Sequence, residues 1–498
     1  MTGRWHDYLD GQVANRPDAP AVSDSIGTEW TYGALDAACR DVGAALTAAG
    51  VQRGDRVVIL IENCAAAVAA LFACSRMGAI AVPVNARQSA SELDRILDHA
   101  NPAAVLFTVA ASKDAEGHAT RLGAREIAGA FGSLHMLARD SAPDDLPDVA
   151  VLLYTTGTTG APKGVMITHG NLRFGGESSA RQRAMRADDL VYGVLPVTHV
   201  FGLTAMITGV TVAGAHLFLE ARFSAARLYE ALTGKVTLFS GVPQMHALLM
   251  QYAREQGVEK LTGSRLRYVS SGAAPLDPAW KRKAEAFYGL PLQNGYGATE
   301  TTSGTSLTNN ALGDPDISVG PILPGTEVKI DETVPGGGDG VGEVLARGPH
   351  IMKGYYRNPE ATAAALDGDG WLRTGDLGRF DAEQRLHIVG RSKELIINGG
   401  FNVYPPEVEA ALNDHPQVIQ SAVIGRRVGG DEQVLAFVQA APGELPDESE
   451  LRAFVADRLT GYKRPKHIVI ATDLPAAPTG KILKHKLLEA FGDRLPQT

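Results

Sequence analysis

The chain is 498 residues long, carries a formal net charge of -9, and is 45% hydrophobic and 21% charged. Such a length implies two or more domains with a large buried interior, and the even composition excludes a disordered, collagen-like or membrane-bundle protein. The acidic balance excludes indiscriminate attraction to nucleic acid or to anionic membranes, so an anionic ligand requires a site of its own.

Met1 to Asp18 hold Trp5, His6, Asp7 and Asp10 with no apolar h-region, so no signal peptide is expected and the expected location is cytoplasmic. Tyr32 to Ala49 places Leu35, Cys39, Val42 and Leu46 at helical spacing and stops at Gly50. Val57 to Ile61 reads as a buried strand, Ala65 to Met77 as a helix of small residues, and Ala79 to Val84 as another strand, the alternation of a parallel sheet covered on both faces. Cys39, Cys64 and Cys74 fall in this stretch without metal-ligand spacing and read as buried thiols of a reducing compartment. Further strands are expected at Ala104 to Phe107, Val149 to Tyr154, Ala215 to Leu219 and Leu266 to Ser270. Ala65 to Cys74 is too short for a bilayer, which needs roughly 20 residues, and Leu203 to Leu219 is interrupted by Thr, Gly and His. Both are expected in the core, with no integral membrane segment.

Beyond about residue 310 the texture changes to short strands, Thr326 to Ile330 and Gly342 to Ala346, separated by the turn-rich Pro335 to Gly340. From about Ser392, Pro405 and Pro406 precede a helix, strands follow at Ser421 to Ile424 and Gln433 to Phe437, and a helix closes the chain. This last part reads as a separate small domain.

The sharpest local feature is Tyr154-Thr-Thr-Gly-Thr-Thr-Gly-Ala-Pro-Lys-Gly164, directly after a buried strand. Gly157, Gly160 and Gly164 let the backbone approach a polyphosphate, Thr155, Thr156, Thr158 and Thr159 supply hydroxyl donors, and Lys163 adds a point charge. A Walker A loop needs Gly immediately before Lys and a helix beyond; here Pro162 fills that place and Val165 to Thr168 looks extended. A Thr/Gly turn between strands is the plain alternative.

This stretch resembles the signature of the adenylate-forming superfamily of acyl-CoA synthetases, peptide-synthetase adenylation domains and luciferases. Gln293-Asn-Gly-Tyr-Gly-Ala-Thr-Glu300, Gly342-Glu-Val-Leu-Ala-Arg-Gly-Pro349, Trp371-Leu-Arg-Thr-Gly-Asp376, Gly390-Arg-Ser-Lys-Glu-Leu395 and Pro478-Thr-Gly-Lys-Ile482 follow in that family's order. The resemblance implies an α/β fold: a large N-terminal domain, residues 1–391, with two doubly wound subdomains and a distorted β-barrel, and a small mobile α+β domain, residues 392–498. It also implies ATP, Mg²⁺ and coenzyme A as co-substrates and cofactor, and a small carboxylic acid as substrate.

Roles follow from the matched positions. The resemblance makes Thr299 an α-phosphate contact and Glu300 the Mg²⁺ ligand, as a hard cation bridging phosphates requires an oxygen. Asn294, Gly295, Tyr296 and Gly297 line the nucleotide site, Tyr296 stacking on adenine against a wall made by Gly272, Ala273 and Ala274. Asp376 and Arg391 take the ribose hydroxyls. Lys481 resembles the lysine that neutralises charge as a carboxylate attacks the α-phosphate. The family then rotates its small domain about a hinge, here Lys393, withdrawing Lys481 and presenting Gly399 and Gly400 to the pantetheine arm while Asn402 holds the adenylate; a Gly pair is also an ordinary turn. Lys463, Arg464, Lys466, Arg426 and Arg427 are candidates for contacts to the phosphates of coenzyme A.

His199, in Pro196-Val-Thr-His-Val-Phe-Gly-Leu203, matches a carboxylate-facing histidine of acyl- and aryl-CoA synthetases. No acidic residue lies between Pro196 and Met206, which disfavours amino acids, and no Arg or Lys lies in the segments expected to line the acyl pocket, the stretch after His199, Ser240 to Pro243, Gly272 to Ala274, Gly295 and Thr301 to Ser303, which leaves an uncharged aromatic or aliphatic tail. Ile397 stands where plant hydroxycinnamate ligases carry Lys, so their substrate is not transferred. The expected activity is AMP-forming carboxylate-CoA ligation. A stand-alone enzyme loading an acyl carrier protein is the alternative, and a homodimer and a lysine acetyltransferase acting on Lys481 complete the expected partners.

Overall fold

A computed structural model describes residues 3–156, 162–272, 276–302, 304–428, 431–443, 445–476 and 482–496. Two eight-stranded sheets dominate the first 300 or so residues. In one, strands run in the order Gly304–Leu307, Leu292–Gly297, Tyr268–Ser271, Leu238–Gly241, Leu190–Gly193, His216–Leu219, Pro20–Asp24 and Glu29–Thr31. Its interior pairings are parallel and its two outermost pairings antiparallel. Gly193, Gly241, Ser271 and Asn294 therefore all lie at or near the C-terminal ends of parallel strands, the edge at which open α/β sheets bind ligands.

The second sheet centres on parallel Arg56–Ile61, Ile80–Asn85 and Ala104–Phe107, and extends through Val149–Thr156, Pro162–Thr168 and Gly354–Tyr355. Arg56–Ile61 is buried at every position, which explains its unbroken apolar run. Helix Ala65–Met77, buried from Ala65 through Ser75 except Ala66, packs between the sheets, and its alanines permit that close approach. Cys39, Cys64 and Cys74 are buried thiols, each pushed up to about 12 by burial.

Four antiparallel strands, Glu327–Asp331, Gly342–Arg347, Leu372–Phe380 and Leu386–Arg391, form the all-β part. The small domain follows with the hairpin Ile396–Asn398/Phe401–Val403, helix Pro405–Asn413, and a three-stranded sheet of Val418–Val428, Asp431–Ala440 and His467–Ala471. It has its own core of Ile396, Val403, Val408, Leu412, Val423 and Ala436, among others. A second cluster joins Phe437 and Val469 to Leu487 of the last helix, Lys484–Phe491.

Element types match the expectations, while boundaries move. The strand expected over Val149 to Tyr154 runs to Thr156, because it pairs with Pro162–Thr168 up to the loop, and the two small-domain strands are longer than their apolar centres because each keeps pairing into its polar ends. The segment from Leu203 forms a π-helix, Gly202–Thr208, before the short helix Gly209–Ala213. Thr208 Oγ1 donates to the Leu203 carbonyl within that wide turn and accepts from Trp5 Nε1 at 3.0 Å. Among the described residues no helix is long and apolar enough to cross a membrane.

Candidate active site

Asp376 and Arg391 are cross-strand partners in the antiparallel sheet, which brings the Arg391 Nε to 3.1 Å from Asp376 Oδ1. Tyr296 arrives from the end of its parallel strand and donates its hydroxyl to Asp376 Oδ2 at 2.6 Å. Burial, and then the Asp376 carboxylate, push the Tyr296 phenol well above its usual range, so it remains a donor. A carboxylate accepts about four hydrogen bonds, and the hydroxyls of a sugar are donors of the kind it takes. A Cβ on Gly295 would come 2.8 Å from Leu307 Cδ1 and 3.1 Å from the Ser306 carbonyl, so a larger residue would force the paired strands apart. Asn294 donates through Nδ2 to the Ser318 carbonyl at 3.1 Å, while its buried Oδ1 has no partner.

Thr299 and Glu300 lie on the 3-10 turn Thr299–Thr301 that follows this strand. Glu300 Oε1 accepts from the Tyr355 hydroxyl at 2.9 Å. The Tyr355 ring also lies under Lys163, whose Nζ is 5.0 Å from its centroid, and the Tyr355 backbone pairs with Val165 beside the threonine-rich loop. Tyr355 thus joins the expected metal ligand to the expected phosphate lysine, a role that sequence reasoning missed. Burial and the Glu300 carboxylate both raise its phenol, keeping it a donor. Arg391, against burial, is held charged by Asp376 first and then by Glu394 and, more weakly, Glu300.

Thr155 pairs with Lys163 and Tyr154 with Gly164, so the loop spans two antiparallel strands rather than a strand and a helix. Gly157, Thr158 and Thr159 lie outside the described residues, as do Ala273, Ala274 and Lys481 and the side chain of Thr156. The isolated bridge Ala476–Ile482 brackets the segment that carries Lys481, and Lys484 beyond it pairs with Glu394 and Glu409, each at 2.9 Å.

His199 sits on the loop between strand Leu190–Gly193 and the π-helix, its Nδ1 accepting from the Phe201 backbone at 3.3 Å. Asn63, buried at the end of the facing sheet, clamps that loop: Nδ2 donates to the Leu195 carbonyl at 2.9 Å and Oδ1 accepts from the Val197 amide at 3.0 Å. The Phe201 ring covers Gly272, where an added Cβ would lie 3.0 Å from a ring carbon. Thr302, at φ +52°, holds a left-handed conformation uncommon outside glycine, and its carbonyl accepts from Thr204 Oγ1 of the π-helix at 2.7 Å. Neither Asn63 nor Tyr355 falls in a motif quoted above, and only the folded chain reveals their bonds.

Lys393, Gly399, Gly400 and Asn402 stand on different elements from these groups and are exposed. Gly399 and Gly400 form the two-residue turn of the hairpin at φ +60° and +81°, which L side chains disfavour.

A family model described as AMP-binding enzyme matches residues 9–356, and one described as AMP-binding enzyme C-terminal domain matches residues 407–481. The chain belongs to the AMP-binding enzymes. It is 36% identical over 489 residues to a feruloyl-CoA synthase from Amycolatopsis sp, with 96% of each chain covered. It is 32% identical to 4-coumarate--CoA ligase 2 from Oryza sativa subsp. japonica, covering 97% of this chain and 91% of that one. The solved structure of ATP-bound MatB from Rhodopseudomonas palustris superposes with a TM-score of 0.84 at 31% identity, covering 98% and 99% of the two chains. This AMP-binding enzyme is an AMP-forming carboxylate-CoA ligase that uses ATP, Mg²⁺ and coenzyme A. The carrier-protein alternative gains no support from these relatives, both curated ones being named for coenzyme A. The polar groups here suit a nucleotide, since among the described residues the buried hydroxyls of Ser271 and Thr302 and the amide oxygen of Asn294, on the segments that carry Tyr296 and Glu300 or adjoin them, are without partners.

Proposed function

We propose that this enzyme activates an aromatic carboxylic acid as its adenylate in the cleft bounded by Asp376, Glu300 and His199, and passes the acyl group to coenzyme A. The single observation that carries the nucleotide assignment is the Tyr296–Asp376–Arg391 triad, in which a buried carboxylate of the antiparallel sheet meets a donor from the end of a strand whose sheet is mostly parallel. The aromatic assignment rests on the resemblance to a feruloyl-CoA synthase and a 4-coumarate-CoA ligase over nearly the whole chain.

In this reading Asp376 and Arg391 fix the ribose and Tyr296 forms one wall for the base. Glu300, oriented by Tyr355, would hold Mg²⁺, which when bound would neutralise phosphate charge. Lys163 and the threonines of its loop bind the outgoing phosphates. His199, on a loop set by Asn63, faces the acid. Lys481 supplies positive charge where the carboxylate oxygen meets the α-phosphorus, a step in which two anions approach. The chain divides at residues 391 and 392, and rotation there about Lys393 replaces Lys481 with the exposed Gly399–Gly400 turn for thiol attack. Exclusion of water protects the mixed anhydride between the two steps.

A panel of aromatic and aliphatic carboxylic acids, assayed for AMP release and for thioester on free coenzyme A, tests this. Aromatic acids are expected to give the highest kcat/KM. Aliphatic acids exceeding every aromatic one would overturn the substrate class, and AMP release without a coenzyme A thioester would overturn the acceptor.

A further inference from the structure

Helix His169–Gln182 ends at Arg183, whose side chain is buried, with the residue 8% exposed. Its polar contacts among the described residues are local: Nη1 donates to Ser179 Oγ at 2.9 Å and reaches the Ser179 carbonyl at 3.5 Å, while the buried Nε has no partner. Arg56 shows what a satisfied buried guanidinium looks like in this molecule. It donates to the carbonyls of Ala100, Asn101 and Ala142 and pairs with Asp144 at 3.2 Å. Among the described residues Arg183 has no such counter-charge, and an unpaired, largely buried cation is costly.

The groups around it point to what is missing. The guanidinium carbon stands 5.9 Å from the centre of the Phe201 ring and 5.8 Å from that of Tyr268. The Tyr268 hydroxyl is itself buried, with no partner among the described residues. Tyr268 opens the strand Tyr268–Ser271, and Gly272 follows its end, so alternation puts residues 268, 270 and 272 on one face. The Phe201 ring lies against that face at Gly272 and against Arg183 beyond it. It separates the proposed acyl cleft from two orphaned polar groups, one of them cationic.

We propose that Arg183 and Tyr268 form a subsite for a second, distal oxyanion of the substrate, a carboxylate or sulfonate at the far end from the carboxyl that is activated. This rests on the reading of the cleft between His199 and Gly272 as the acyl site. A substrate that enters over Gly272 and turns the Phe201 ring presents its distal oxygens to the Arg183 Nε–H and the Tyr268 hydroxyl, supplying the charge and the hydrogen bonds that both lack. The expectation of an uncharged tail came from the stretch after His199 and from residues 240–243, 272–274, 295 and 301–303, whereas Arg183 reaches this place from a helix end outside them.

The test compares matched acids that differ only at the far end, carrying methyl, carboxylate or sulfonate, on both aromatic and aliphatic frames. Acid-dependent exchange of pyrophosphate into ATP gives kcat/KM for each. The ratio of the anionic acid to its methyl counterpart is expected to exceed about 10 in the wild type, and to fall about 10- to 100-fold in Arg183→Met. Arg183→Lys is expected to keep part of it and Tyr268→Phe to lose severalfold, so the subsite stays testable if the methionine variant fails to fold. Carboxylate and sulfonate arms tell which oxyanion the pocket takes. A ratio at or below 1 in the wild type, or the same ratio in all four proteins, would overturn the proposal. Because each ratio is read within one frame, a failure of the aromatic assignment leaves it readable on aliphatic acids.

Discussion

The cleft around Asp376 and the hairpin at Gly399 and Gly400 are opposite solutions to handling a ligand. In the cleft, Tyr296, Asp376 and Arg391 are locked to one another, Tyr355 holds Glu300, and a single hydrophobic cluster reaching from Trp5 to Leu372 stands behind the sheets that carry Tyr296. The hairpin is a two-residue turn at the surface with open space where side chains would be, on a domain with two small clusters of its own. A preset polar cleft contributes most to a reaction in which charge builds on a bound nucleotide, since its dipoles need no reorganisation. In the proposed mechanism the exposed glycine turn leaves room for a second substrate, with adenylation served chiefly by the large domain and the second set of groups delivered by the small one.

The largest effect should come from Lys481, the small-domain group proposed to serve adenylation. Lys481→Ala is expected to slow acid-dependent pyrophosphate exchange by roughly 10²-fold or more, while a supplied acyl-adenylate is still converted to the thioester. Equal loss in both assays would erase the division. Next, Asp376→Ala removes the acceptor for Tyr296 and Arg391 and should raise the KM for ATP by about 10- to 100-fold, the scale of hydrogen bonds to a charged group; an unchanged KM would detach the triad from the nucleotide.

Tyr355→Phe sharpens the same comparison at smaller scale. Loss of the hydroxyl that orients Glu300 is expected to raise the Mg²⁺ concentration for half-maximal exchange by about tenfold, more than it changes the KM for the acid. On the small domain, Gly400→Ala forces a side chain into a left-handed turn at a cost of about 1 kcal/mol. It should slow thioester formation severalfold more than adenylation.

Much of this was legible beforehand, for reasons that differ by residue. Strand Arg56–Ile61 and helix Ala65–Met77 announced themselves because burial on both faces demands unbroken apolar or small residues. Asp376 and Arg391 could be paired only through the family pattern, because the bond between them depends on strand register that the intervening residues do not encode locally. Tyr355 and Asn63 were invisible because each bonds across a long sequence separation, and Arg183, whose hydrogen bonds are local, meets the Phe201 and Tyr268 rings only in the folded chain. The π-helix after Phe201 was likewise hidden, since its apolar residues fit any buried helix and the wider turn shows only in its bonds.

A last effect is on the stability of the large domain and leaves the reaction aside. His246 is fully buried between the Tyr288 hydroxyl at 2.7 Å and the Ser270 carbonyl at 3.2 Å, and burial pushes its imidazole down to about 3. An unfolded histidine takes up a proton below about pH 6.5, whereas the folded one does not until near its lowered value. Stability therefore falls on acidification through that window, by about 1.4 kcal/mol per pH unit for this group. Urea midpoints at pH 7 and pH 5 should differ less in His246→Asn than in the wild type.

A crystal structure with a non-hydrolysable acyl-adenylate analogue addresses the preset cleft most directly. The ribose hydroxyls should lie within hydrogen-bonding distance of Asp376, with the base against Tyr296 and the acyl group between His199 and Gly272. An analogue bound away from Asp376, or bound there only after Tyr296 and Arg391 have abandoned it, would contradict the account.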